Sequence, residues 1–283
     1  MADCTRCGRK LPALSFGKNS ELCKYCRQAE QDDIQPGGHV SQLIPAWRVG
    51  PSVTMAIIGV NVAVFLAMVV HGVSPGKPTG QDIVNWGANF GPYTFGAEQS
   101  WRLLSSIFIH IGIAHLLVNM WSLWNLGRVA EQVYDKGTYL GCYLLCGIGA
   151  SINATWYRPL TPSAGASGAI FGLVGLLITT FWMGQLSIPA ERSQAMTKNL
   201  VMVAAVNLIF GAMLGFVSNA AHIGGLLTGL VLGGLIAPRL TRNTSESRGS
   251  RYVIMGVAAI ALVVLFVVAK RSVLPSFTQS LPE

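Results

Sequence analysis

Two side chains that could act together as a nucleophile and a base each stand at the beginning of an apolar segment. Ser167 lies in the Gly-Ala-Ser-Gly sequence of residues 165–168, and His222 lies in the Ala-His-Ile-Gly-Gly sequence of residues 221–225. Neighbouring glycines allow tight turns and leave a hydroxyl unshielded. A serine hydroxyl within hydrogen-bond reach of an imidazole forms a nucleophile with its general base. A serine at a helix start is, however, more often an N-cap.

A second polar pair, His115 and Asn119, lies in an earlier apolar segment. A spacing of four residues puts both side chains on one face of a helix. An imidazole and a carboxamide that point the same way can donate hydrogen bonds to a developing oxyanion, together with the backbone N–H of Ser167. The alternative is a polar pair that joins two helices through hydrogen bonds.

The apolar segments around the serine and the histidine contain no acidic residue that could orient the base. No Asp or Glu occurs between residues 136 and 190 or between residues 192 and 245. We therefore predict a Ser–His dyad rather than a triad. Asp82 and Glu98, which lie in a long loop between the first two apolar segments, remain open as alternatives.

Glycines at four-residue spacing follow both Ser167 and His222. They are Gly168 and Gly172 in one segment and Gly225, Gly229 and Gly233 in the other. Small residues at this spacing let two helices approach closely, which would bring the hydroxyl and the imidazole together. In membrane proteins such glycines more often serve packing alone. Phe171, one turn beyond Ser167, either packs against the imidazole or belongs to the core.

Four of the six cysteines form two Cys-x2-Cys pairs near the N-terminus. Cys4 and Cys7 are followed, after 15 residues, by Cys23 and Cys26. This spacing is typical of a structural zinc site with four thiolates. The alternative is two disulfides, which a reducing compartment disfavours. We expect residues 1–28 to form a small zinc-ribbon-like unit whose binding partner is unknown, followed by a linker at residues 29–51.

Composition indicates a membrane protein. Only 11% of the 283 residues are charged, compared with about 25% in soluble domains. Apolar segments lie at about 52–73, 111–130, 138–156, 166–183, 200–217, 221–237 and 252–270. A transmembrane helix needs about 20 residues, so we predict seven spans, of which the fourth is short enough to begin below the membrane surface. Cys142 and Cys146, in the third span, are predicted to be ordinary core residues.

The distribution of basic residues predicts the orientation. With the N-terminus inside, 15 of the 20 Lys and Arg residues fall on the inner side, as the positive-inside rule requires. The C-terminus is then outside, although Lys270 and Arg271 at the outer end of the last span oppose this assignment. The formal charge of +8 is dispersed between apolar segments, so nucleic-acid binding is not expected.

Together, these motifs resemble the rhomboid intramembrane proteases over the region from about Trp86 to Gly234. The matching pieces are Trp101-Arg102, His110, His115 with Asn119, residues 165–168 and residues 221–225. The resemblance implies an all-α, polytopic fold. It would comprise a six-helix protease core within residues 52–240, one extra C-terminal transmembrane helix at 252–270, and the cytosolic zinc unit in front.

The resemblance also implies roles for the site residues. Ser167 would be the nucleophile and His222 the general base, whereas His115, Asn119 and the Ser167 N–H would form the oxyanion hole. Glu131 would be a structural acid. Catalysis would need no cofactor, and the substrates would be transmembrane proteins. The compact chain is typical of a bacterial member, so we expect a multi-pass protein of the plasma membrane with its N-terminus in the cytosol.

Two other classes of function remain open from the sequence. A non-catalytic membrane protein on the same scaffold would bind clients and guide them to degradation, and labelling by a serine-reactive probe would distinguish it. A transporter would predict internal repeats among the spans, and none is visible.

Overall fold

A computed structural model describes residues 3–5, 7–8, 11, 21–23, 26, 52–183, 188–213, 218–237 and 245–278. Within these ranges the regular elements are helices and no strand is present, although Asn89 and Ser163 form an isolated antiparallel bridge. The all-α prediction is therefore confirmed for this part of the chain. The predicted linker at 29–51 and much of the predicted unit at 1–28 lie outside the described residues.

Nine α-helices follow one another in the described part of the chain from residue 52 onward. They are α1 (Val53–Val70), α2 (Gly80–Asn85), α3 (Arg102–Ser105), α4 (Ile113–Val133), α5 (Lys136–Tyr157), α6 (Ser167–Trp182), α7 (Ala190–Met213), α8 (Asn219–Ile236) and α9 (Ser245–Thr278). The loop between α2 and α3 contains one short π-helical turn, Pro92–Gly96.

Among the described helices, four are long and apolar enough to cross a membrane, namely α1, α7, α8 and α9. A fifth span results if the segment Arg102–Phe108 is joined to α4 across a bend of 92°. The apolar helix α6 has only 16 residues, as expected for a span that begins below the surface. Seven spans and a six-helix core stay predictions.

Two helices extend beyond the apolar segments that marked them. Helix α7 begins at Ala190 rather than near residue 200, and α9 covers Ser245–Thr278 rather than 252–270. The added turns carry polar and charged residues such as Glu191 and Arg251. Hydropathy identifies only the part of a helix that suits hydrocarbon, whereas backbone hydrogen bonding continues through polar residues.

Helix α6 is the centre of the bundle and packs most extensively against α8 and α5. The packing predicted from the glycines is confirmed. A Cβ added at Gly225 would lie 1.9 Å from the carbonyl oxygen of Gly168, and one at Gly229 would lie 1.9 Å from that of Gly172. The two backbones therefore touch along this face, which only glycine permits.

Glu131, at the end of α4, anchors the beginning of α1. Its carboxylate accepts hydrogen bonds from the Ser52 hydroxyl (2.7 Å) and from the Thr54 N–H (3.2 Å). The first N–H groups of a helix lack partners within the helix, and a negative charge there also complements the helix dipole. Glu131 thus has the structural contacts that the resemblance implied.

Asp135 joins α5 to α9. Its carboxylate caps α5 by accepting from the Thr138 N–H (3.0 Å), and it also pairs with Arg251 (3.4 Å) and accepts from the Tyr252 hydroxyl (3.2 Å). Burial alone would raise the pKa of Asp135, but the hydrogen bonds from Thr138 and the charge of Arg251 outweigh burial and lower the pKa below its ordinary value.

Candidate active site

Ser167 is the first residue of α6, and its side chain does not cap the helix. The N-cap is Ala166, in a helical backbone conformation and without a capping side-chain hydrogen bond. The hydroxyl instead lies against α8, with Ser167 Oγ 3.0 Å from His222 Nε2. The structure therefore brings together the two residues that the sequence singled out, at a distance suited to proton transfer.

His222 is buried and is oriented by an aromatic ring. The Phe171 ring stacks on the imidazole with centroids 4.1 Å apart and an interplanar angle of 9°. When Ser167 donates to Nε2, the neutral imidazole carries its proton on Nδ1. Nδ1 is buried and has no hydrogen-bond partner among the residues that the structure describes.

The two acidic residues left open as third members of a triad have other partners. Asp82 accepts from the N–H and the hydroxyl of Thr79 at 2.8 and 2.7 Å, which closes a capping box at α2. Glu98 is exposed and pairs with Lys270 of α9 at 3.0 Å. Neither carboxylate is hydrogen-bonded to His222, and the contact that orients the ring in the described part of the chain is the stacking of Phe171.

His115 lies beside the turn that precedes the nucleophile. Its Nδ1 accepts a hydrogen bond from the Ile111 N–H at 3.2 Å, so the neutral ring carries its proton on Nε2 and can donate from there. The side chain of Asn119 is buried and donates to the His115 carbonyl at 2.8 Å. His110 is also buried, with its ring centroid 5.2 Å from that of His115.

Gly165 makes room for His115, a role that the sequence alone did not reveal. Its φ of +125° lies in the region that favours glycine. An added Cβ would stand 2.6 Å from His115 Cε1 and 3.0 Å from Nε2. The imidazole thus occupies the space next to the Gly165 backbone, two residues before Ser167.

Asn89 is a second residue missed by the sequence analysis. Its backbone exchanges two hydrogen bonds with Ser163 (2.9 and 2.8 Å), on the segment leading into α6. Its side chain donates to the Ser151 carbonyl (2.7 Å) and accepts from the Thr94 hydroxyl (2.8 Å). The fully buried Asn89 therefore ties the loop and α5 to the segment that carries Ser167. The fold makes this contact between distant positions, so no local spacing signals it.

Arg102 holds the long loop between α1 and α4 in place. The guanidinium is buried and donates to the carbonyls of Val84 (2.6 Å) and Ala88 (3.0 Å). It also lies over the rings of Tyr93 and Trp101, 4.8 Å from each centroid. The Trp101-Arg102 pair therefore belongs to the loop scaffold.

The four N-terminal cysteines form one cluster. Their Sγ atoms all lie within 4.8 Å of one another, Cys7 and Cys23 are 3.6 Å apart, and the Cys23 N–H donates to Cys4 Sγ at 3.2 Å. Four thiolates around Zn²⁺ stand about 3.8 Å apart, and none of the cysteines is in a disulfide. Burial and the neighbouring Cys7 and Cys23 raise the pKa of the Cys26 thiol, as expected for thiols that need a cation to ionise together. The cluster could hold a metal.

Comparisons with known proteins place the chain in a family. The Rhomboid domain model matches residues 97–239, about half of the chain. Rhomboid protease GluP of Bacillus subtilis (strain 168) is 36% identical over 179 residues, which are 63% of this chain and 34% of that protein. RHOMBOID-like protein 2 of Arabidopsis thaliana is 34% identical over 256 residues, 76% of this chain and 79% of that protein.

A third relative, Rhomboid protease AarA of Providencia stuartii, is 27% identical over 202 residues, 64% of this chain and 71% of that protein. The chain thus spans about a third of the length of GluP but most of the length of the other two relatives. The apolar helices and these relatives agree on a multi-pass membrane protein. The chain belongs to the rhomboid family.

Proposed function

We propose that this protein is an intramembrane serine endopeptidase that cleaves transmembrane segments with a dyad of Ser167 and His222. The observation that carries the proposal is the 3.0 Å contact between the Ser167 hydroxyl and His222 Nε2 in a chain of the rhomboid family. The relatives GluP and AarA are named rhomboid proteases, which supports the same activity here.

In the proposed mechanism, a substrate helix unwinds near its outer end and presents a peptide carbonyl to Ser167. The hydroxyl attacks the carbonyl carbon while His222 Nε2 takes the proton. The imidazolium then gives this proton to the leaving amine, and an acyl-enzyme remains. Water that reaches the site from the outer face hydrolyses the ester with His222 again as the base.

Three donors are proposed to stabilise the oxyanion. His115 donates from Nε2, because its Nδ1 accepts a hydrogen bond from the Ile111 N–H and the proton of the neutral ring is therefore on Nε2. Asn119 uses one amide hydrogen for the His115 carbonyl and keeps the second for the oxyanion. The Ser167 N–H belongs to the first turn of α6, where no side chain caps the helix and the helix dipole favours negative charge.

The proposal assigns a structural role to the metal and none in catalysis. Cys4, Cys7, Cys23 and Cys26 would bind Zn²⁺ as a closed set of four thiolates, which leaves no open position for a substrate. Zinc would supply the folding free energy that so small a unit lacks. We further propose that this unit lies in the cytosol of a bacterium and that the chain resides in the plasma membrane.

Cleavage of a labelled transmembrane substrate by detergent-purified protein tests the proposal. Wild type is expected to cut the substrate, and Ser167→Ala is expected to be inactive while keeping its thermal unfolding transition. Ser272→Ala removes a hydroxyl that donates to the Ala269 carbonyl within α9, and this variant should cleave like wild type. Cleavage by Ser167→Ala would refute the nucleophile. A client-binding scaffold without catalysis would instead bind substrate and fail to react with serine-directed probes.

A further inference from the structure

The four-cysteine unit contacts the beginning of α7, far along the chain. The carbonyl of Cys7 accepts a hydrogen bond from the N–H of Ala190 at 3.3 Å. Ala190 is the first residue of α7, and the helix's own bonding starts with the Ser193 N–H to the Pro189 carbonyl at 3.0 Å. The first N–H groups of a helix have no partner within it, so Cys7 satisfies one of them.

Gly8 brings the backbone of the unit close to α7. Its φ is +71°, and its N–H donates to the Cys4 carbonyl at 2.9 Å. A Cβ added at Gly8 would stand 3.3 Å from the Glu191 carboxylate, which is tighter than an ordinary contact. The turn that carries two of the four thiols is therefore the part of the unit that lies against the helix.

Helix α7 is buried at few positions along its length. Of its 24 residues, only Ser193, Ala204 and Gly211 are buried. Near its beginning, the Ser193 hydroxyl donates to the Phe181 carbonyl of α6 at 2.6 Å. Apolar residues elsewhere on the helix, among them Val203 and Phe210, are largely exposed. Ile188, just before the helix, is buried in the main core, and Met196 packs against that core. The cap from the unit therefore adds to these contacts at the first turn.

Charge alone does not decide this contact, because the Glu191 carboxylate beside Gly8 opposes the partial positive charge of the helix end. Four thiolates around Zn²⁺ carry a net charge of about −2, and the beginning of a helix carries a partial positive charge. We propose that the four-cysteine unit, held together by its metal, docks on the first turn of α7 and orders this end of the helix. The inference rests on the proposed metal site.

Helix α7 connects the docked unit to the active site through packing contacts. Ala204 packs in one cluster with Phe171, and Phe171 stacks on His222. Helix α7 therefore covers the flank of the ring that orients the base. A unit that binds metal at one end of this helix can act on the packing of the catalytic histidine.

Hydrogen exchange tests the inference without reference to cleavage. The exchange of the 283-residue protein is measured by mass spectrometry before and after a chelator removes zinc. Loss of the metal should speed exchange in residues 190–196 by about fivefold or more, because the first turn loses its cap. The first turn of α1 is capped by Glu131 and should be unchanged.

Ala190→Pro separates docking from metal binding. Proline is well accepted at the first helical position, removes the N–H that the Cys7 carbonyl accepts, and places its ring where that hydrogen was. This variant should keep its zinc and still show faster exchange in residues 191–196. Zinc removal that leaves this segment as protected as before would overturn the inference, as would purified protein without zinc. Neither result would bear on cleavage by Ser167.

Discussion

Replacing Gly225 with alanine tests whether the close contact of α6 and α8 holds Ser167 and His222 together. The new Cβ would lie 1.9 Å from the Gly168 carbonyl oxygen, and this oxygen belongs to the backbone of α6 and cannot rotate away. An ordinary contact starts at 3.4 Å, so the helices must separate by about 1.5 Å at this point.

The separation acts almost directly on the dyad, because His222 lies one turn before Gly225 on the same helix. The distance between His222 Nε2 and Ser167 Oγ is 3.0 Å, and an increase to about 4 Å abolishes the hydrogen bond. A misplacement of about 1 Å costs about 100-fold in rate. Overpacking should lower the free energy of unfolding by about 1–3 kcal/mol.

The assay measures three quantities for each variant: the rate of reaction with a fluorophosphonate, the rate of substrate cleavage and the temperature of thermal unfolding. Gly59→Ala in α1 is the matched control, because its added Cβ meets nothing within 4 Å. It should react like wild type and unfold at the same temperature or higher. Gly225→Ala that folds and reacts at the wild-type rate would refute the account of how the dyad is positioned.

Three further predictions concern other parts of the chain. Asn89→Ala leaves buried polar groups without partners and should slow fluorophosphonate labelling at least about tenfold, whereas Asn61→Ala, at an equally buried site in α1, should lose stability with no change in labelling rate. Asp135→Ala should destabilise the protein by about 1–2 kcal/mol at neutral pH. Because the folded pKa of Asp135 is lowered, its contribution is present above about pH 4 and is lost as the pH falls further, so the unfolding curves of variant and wild type should converge in acid. Metal analysis should find about one zinc per chain in wild type and much less in Cys23→Ser, and equal zinc in both would contradict the four-thiolate site.

Much of the site could be predicted from the sequence because its signals are local. Glycine at four-residue spacing after Ser167 and His222 predicts the contact between α6 and α8, and the two Cys-x2-Cys pairs predict a cluster. In each case a short spacing fixes which side chains share a face or a turn. The structure brings these residues together as expected.

The remaining features depend on contacts between distant positions. The bridge from Asn89 to Ser163 and the hydrogen bond from Ala190 to Cys7 join segments that share no local pattern. The sequence predicts a turn at Gly165, but the contact between Gly165 and His115 is visible only in the folded structure. The predicted start of α7, near residue 200, was wrong because the first turns of the helix are polar. A hydropathy profile does not identify helical residues that lie outside the hydrocarbon.

Mapping of a fluorophosphonate adduct by mass spectrometry tests the central claim most directly. The reagent reacts only with an activated serine, and the dyad predicts a single adduct at Ser167 that is lost in His222→Ala, because the base no longer takes the proton. Wild type and Phe171→Leu should both be labelled, the latter more slowly, since the imidazole loses its stacking partner. Labelling at another serine, or equal labelling of His222→Ala and wild type, would contradict the proposed dyad.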